Sequence, residues 1–130
     1  MSFALTDKCV KVLVNSKIEN LIHELKKVEA IISGTTGPGH LAGVSGRPLI
    51  ILSESTNPRE SAPYVSDIVN IRANLKCSPC YRRGMPNGCG FRCADLISHE
   101  DVLDVLKNNK FARISDVRLL TTKDSNYLEL

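Results

Sequence analysis

Cys77, Cys80, Cys89 and Cys93, separated by two, eight and three residues, gather four of the chain's five cysteines in one stretch. Thiolates at two-residue spacing can clasp a metal ion from a tight knuckle, and a second pair completes a tetrahedral set. Gly84, Pro86, Gly88 and Gly90 supply the sharp turns of such a loop. Four sulfur ligands suit zinc or iron in a structural role, since they leave no position open for substrate. The bland reading is free thiols packing a loop, or a disulfide pair after oxidation. A reducing compartment favours metal over both. Cys9 stands alone and reads as core.

The second candidate is Gly34-Thr35-Thr36-Gly37-Pro38-Gly39-His40. Glycines let backbone approach an anion closely, and a helix beginning here turns unpaired N–H groups and a positive dipole end toward it. Thr35 and Thr36 add hydroxyls, and His40 in the first turn can donate to a phosphate oxygen. A diphosphate fits. A P-loop requires Lys and Ser/Thr after its last glycine, where this chain has His40 and Leu41. The dinucleotide pattern is better matched, as Gly37-x-Gly39-x-x-Ala42 with Glu54 closing the next strand, although Pro38 between the glycines is unusual. A plain strand-to-helix turn that needs glycine for geometry is the third reading.

The elements around these residues are legible. Cys9 to Val14 alternates and reads as a strand, and Ser16 with Glu19 forms a capping box. Ile18, Leu21, Ile22, Leu25 and Val28 then predict an amphipathic helix over about 17–28. Ala30-Ile31-Ile32 is a short strand, and a short helix through Leu41, Ala42 and Val44 is stopped by Gly46 and Pro48. Leu49 to Leu52, apolar without alternation, reads as a strand covered on both faces. Ser53 to Pro63 is a polar loop, and Ile68 to Ile71 a further strand. Ser98 caps a last helix with Val102, Leu103, Val105 and Leu106 on its apolar face. His23 and His99 read as surface residues. Residues 111–130 form a C-terminal extension, a strand plus a mobile tail.

Such alternation predicts an α/β fold, a Rossmann-like parallel sheet with right-handed crossovers and flanking helices, in a single domain over 1–130. Ligands bind beyond the carboxyl ends of the strands in such sheets, and the glycine loop lies at one of them. A formal charge of +3 and few aromatics argue against nucleic acid. No apolar run reaches membrane-span length, and Met1 to Lys8 lacks the features of an export signal, which predicts a cytoplasmic protein.

Thr36-Gly37-Pro38-Gly39-His40-Leu41-Ala42, followed by Gly46-Arg47-Pro48-Leu49-Ile50-Ile51-Leu52, resembles the donor-site block of glycosyltransferase family 9, the ADP-heptose heptosyltransferases of lipopolysaccharide synthesis. Ser55-Thr56-Asn57-Pro58-Arg59, Cys77-Ser78-Pro79-Cys80-Tyr81 and the helix from Ser98 continue the likeness, which covers about residues 16–107. The resemblance implies the C-terminal, donor-binding half of a GT-B fold. It implies that Thr35, Thr36, Gly37, Gly39 and His40 hold the diphosphate of a nucleotide-sugar donor. The family usually has Asp where this chain has Thr35, which removes one acidic contact to the donor. The acceptor half and its catalytic carboxylate would come from a separate domain or chain, so the isolated chain is expected to bind better than it catalyses. Members that modify autotransporters carry a four-cysteine iron site. Two other readings stand beside this one, a non-catalytic metal-stabilised interaction module and a dinucleotide-binding domain. The oligomeric state is left open.

Overall fold

The computed structural model describes residues 17–63, 67–73, 75–80, 89–90 and 92–108, and the backbone alone of 118–121. The strand expected over Cys9–Val14, the Ser16 cap and most of the C-terminal extension lie outside these residues.

The first helix, α1 (Ile18–Leu25), ends one turn earlier than its apolar spacing suggests. Lys17 occupies the N-cap with extended backbone and no side-chain cap bond. At the other end the Arg47 guanidinium donates to the Lys26 carbonyl through Nε at 2.8 Å and also through Nη2. That carbonyl is thereby satisfied without another helical turn, and the chain is released toward β1 (Ile31–Gly34). Val28, which the periodicity put on the helix, is 40% exposed in the connecting turn.

From β1 the chain passes into α2 (Gly37–Gly43), with Pro38 in its first turn, where no N–H is required. Gly46 then adopts φ +72°, a left-handed conformation that glycine reaches without a Cβ penalty, and leads into β2 (Leu49–Leu52). The segment expected as an irregular loop holds one helical turn, α3 (Pro58–Ser61). The Asn57 side chain caps it by accepting from the Arg59 N–H at 3.2 Å and donates to Glu60 Oε1 at 3.0 Å. β3 (Ile68–Arg72), the short α4 (Arg92–Asp95), α5 (His99–Lys107) and β4 (Arg118–Thr121) follow. Ser98 caps α5 as expected, in a reciprocal box in which its Oγ accepts from the Asp101 N–H at 3.2 Å.

The four strands form one parallel sheet in the order β1-β2-β3-β4. Alternation along each strand sends side chains to two faces, and both are covered. Ile31, Leu49, Ile51 and Ile68 pack with Ala42 of α2 and with Leu25 of α1. Ile50, Val69 and Ile71 pack with Val105 of α5, joined by Val102 and Leu106. Parallel pairing aligns the carboxyl ends of all the strands along one edge, and that edge holds every candidate site residue up to Cys80.

Candidate functional site

Three strand ends meet at this edge. Gly34 pairs with Leu52, and Leu52 with Ile71, so Thr35, Ser53 and Arg72 occupy the next row across the sheet. The turn after β1 is tight, for the Thr36 N–H donates to the Gly34 carbonyl at 2.9 Å. Thr36 is the N-cap of α2, yet its hydroxyl makes no cap bond and the residue is exposed. The first helical bond runs from the His40 N–H to the Thr36 carbonyl at 3.1 Å. The N–H groups of Gly37 and Gly39 precede it, and Pro38 has none to offer. His40 is exposed at the same turn.

The two glycines of the turn do different work. A Cβ on Gly37 would meet nothing within 4 Å, so this backbone is open on its outer side. A Cβ on Gly39 would lie 2.6 Å from the Gly34 carbonyl oxygen and 3.0 Å from Ser33 Oγ. Gly39 is buried and lets α2 pack directly on β1. That requirement follows from packing alone, whatever the turn binds.

Hydrogen bonding along the edge is incomplete. Among the described residues the buried side-chain atoms without a partner are Thr35 Oγ1, Thr56 Oγ1, Asn70 Nδ2 and Arg72 Nε. A buried polar atom left unpaired costs about 1–3 kcal/mol, and native folds retain few of them. Thr35, Thr56 and Arg72 belong to strand ends or to the loops that leave them, and Asn70 is the central residue of β3. Asn70 and Ser53 are fully buried beside each other, with Ser53 Oγ 3.4 Å from Asn70 Oδ1.

A family model for glycosyltransferase family 9 (heptosyltransferase) matches residues 3–90. The chain belongs to that family. Neither a curated protein nor a solved structure matches it. Membership places the chain in the glycosyltransferase class, and the matched span contains the whole Gly34–His40 turn.

The same span takes in Cys77, Cys80 and Cys89 and stops short of Cys93. All four thiols are free. Cys93 packs with Ala73 and Leu75, and Cys77 lies against that cluster. Burial, then the charges of Glu54 and Cys89, push the Cys93 thiol above its ordinary range. Cys80 is buried, its N–H donating to the Ser55 carbonyl at 3.0 Å. Among the described residues, no group of three or more His, Cys, Asp or Glu is placed to hold a metal ion.

The cysteine segment nonetheless forms part of the site's wall. Ser78 Oγ donates to the Glu54 carbonyl at 3.0 Å, and Arg72 Nη2 donates to the Ser78 carbonyl at 3.1 Å. With the Cys80 bond to Ser55, these contacts tie the loop after β3 to the loop after β2. His23 on α1 and His99 on α5 are exposed, as expected. Asn70, Arg72, Ser53 and Thr56 escaped the sequence reading. The available signal was Asn70 itself, an amide inside the apolar run Ile68-Val69-Asn70-Ile71. No helix among the described residues is long and apolar enough to cross a membrane.

Proposed function

We propose that this chain supplies the donor-binding face of a glycosyltransferase, taking a nucleotide-diphosphate sugar of the ADP-heptose type. The observation that carries the reading is the Gly34–His40 turn of a family 9 chain, with backbone N–H groups at its helix start and an unpaired Thr35 hydroxyl beside them. Thr36, Gly37 and His40 then offer donors to the diphosphate, and Gly39 lets the helix carrying them sit close against β1. Donors preorganised around a diphosphate stabilise it as it leaves the sugar, because charge grows on its oxygens as the glycosidic bond breaks. The attacking acceptor, a lipopolysaccharide or protein hydroxyl, and the base that deprotonates it belong to a separate domain or chain.

Calorimetric titration with ADP-heptose, ADP, UDP and NAD tests this reading. Binding of ADP-heptose and ADP, weakened about tenfold in His40→Ala by loss of one phosphate hydrogen bond, is the expected result. Silence toward every nucleotide would overturn it. NAD binding tighter than ADP would transfer the turn to a dinucleotide. Zinc or iron on Cys77, Cys80, Cys89 and Cys93 is a separate proposal carried by residue type and spacing alone. Elemental analysis of the purified chain decides it, one equivalent supporting it and none removing it.

A further inference from the structure

The unpaired atoms of the strand edge are not mixed in kind. Asn70 Nδ2 and Arg72 Nε can only donate hydrogen bonds, and the hydroxyls of Thr35 and Thr56 can donate as readily as accept. Two of the four therefore need an acceptor that they do not find among the described residues. Asn70 and Arg72 stand two apart on β3, so they share the sheet face to which Ser53 also points. Asn70 has no exposed surface at all, in the middle of an otherwise apolar strand. A leucine there would fit the apolar pattern of its neighbours, though it would take from the buried Ser53 hydroxyl its acceptor on Asn70. The Arg72 guanidinium is only partly used, by the Ser78 carbonyl that its Nη2 reaches.

Donors without acceptors, one of them cationic, define the missing occupant as an oxyanion. We infer that Asn70 and Arg72 form a second anion contact on the β3 side of the edge and receive a phosphoryl group. Strand spacing of about 4.8 Å sets this contact roughly 10 Å from Thr35, two strands away. A ligand anchored at the Gly34–His40 turn would thus lie across the end of β2 and be held at both ends. The inference rests on reading this edge as the ligand edge, but not on the ligand being a nucleotide sugar. The phosphoryl group could come from free phosphate or pyrophosphate, or from a nucleotide.

Thermal melting of the full chain, with and without inorganic phosphate, pyrophosphate and ADP, tests the assignment. Pyrophosphate is expected to raise the melting temperature of the wild type. Arg72→Gln should lose most of that rise, and Arg72→Lys should recover only part, because an ammonium lacks the planar fork. Asn70→Leu gives up the long Ser53 bond to its amide oxygen, so its melting without anion should fall only slightly, and its response to anion should be lost. That pairing separates a ligand contact from a merely structural amide. Equal pyrophosphate responses in wild type, Arg72→Gln and Asn70→Leu would overturn the inference. Should either variant fail to fold, phenylglyoxal labelling of the wild type followed by mass spectrometry keeps it testable. Arg72 left unprotected by pyrophosphate would then count against it.

The two readings fail differently. Nucleotide binding that needs His40 but ignores Asn70 and Arg72 removes this contact and leaves the donor site standing. An Arg72-dependent response to pyrophosphate, with none to nucleotides, removes the donor reading and leaves this contact. A preference for ADP over pyrophosphate assigns the phosphoryl group to a nucleotide. No response to any of the anions overturns both.

Discussion

Leu49 and Ile50 are completely buried in β2, with Ile31, Ile68, Ile32 and Val69 as their partners across the ladder, whereas Ser53, further along the chain, is just as buried but sits beside an amide whose nitrogen has no partner. Both regions are equally shielded from water. They differ in what burial achieves. Around Leu49 and Ile50 it removes apolar surface, at about 25 cal/mol per Å². At the carboxyl edge it isolates donors, a net cost unless something else meets them. Since strands run parallel, a single fold presents both regimes a few ångströms apart. The middle provides the rigidity on which the edge can remain unsatisfied.

The comparison breaks most visibly at its stable end. Ile51 lies in the cluster beneath α2, and its Cδ1 comes within 3.4 Å of the position a Gly39 side chain would take. Ile51→Ala removes buried methylenes where the surrounding strands cannot collapse, and should cost about 3–4 kcal/mol in denaturant unfolding. It should act on stability far more than on affinity in the protein that remains folded. A loss below about 1 kcal/mol would mean that the sheet interior is looser than its burial implies.

Gly39→Ala comes next and probes the boundary between the regimes. Its Cβ would press on the Gly34 carbonyl, a backbone atom that cannot rotate away, so α2 must lift from β1. A loss of about 2 kcal/mol is expected, despite the gain in helix propensity. The shift should also reach the turn, weakening ADP by displacing the first helical N–H groups. Unchanged stability would show that α2 already stands off the strand. A smaller effect, about 1 kcal/mol, is expected for Ser98→Ala, which opens the capping box of α5 on the opposite face. Here ADP affinity should not change, because α5 touches the middle of the sheet and not the glycine turn.

How far the sequence disclosed these regions follows from the range of the forces that build them. The turn from β1 into α2, the uninterrupted apolar run of β2 and the Ser98 cap are local patterns, and each appears where its residues indicate. Asn57-Pro58 with Glu60 behind it was also a local helix start, hidden inside what reads as a polar loop. The end of α1 was not local, since it depends on Arg47 reaching back to Lys26 across 21 residues. The unsatisfied edge was the least legible. Thr35, Ser53 and Arg72 share a row only because of strand register, and no single segment carries that information. The cysteine spacing is a strong local signal as well, and within the described fold Cys77 and Cys93 belong to one apolar cluster.

Gly37→Ala gives the smallest change in stability and the sharpest test of the comparison. The position is exposed, its Cβ would meet nothing, and it opens a helix that alanine favours. On folding grounds alone the substitution should be neutral or stabilising by up to about 0.5–1 kcal/mol, through a less flexible unfolded chain. A diphosphate against the Gly37 N–H would, however, lie in the space the new methyl enters. Affinity for ADP should then fall by about tenfold while the melting temperature holds or rises. Stability and binding would thus move in opposite directions at one residue. At Gly39, two positions along the same helix, they should fall together. If Gly37→Ala leaves ADP affinity intact, the open side of the turn faces water rather than a ligand, and the glycines of this turn serve the packing of α2 on β1 alone.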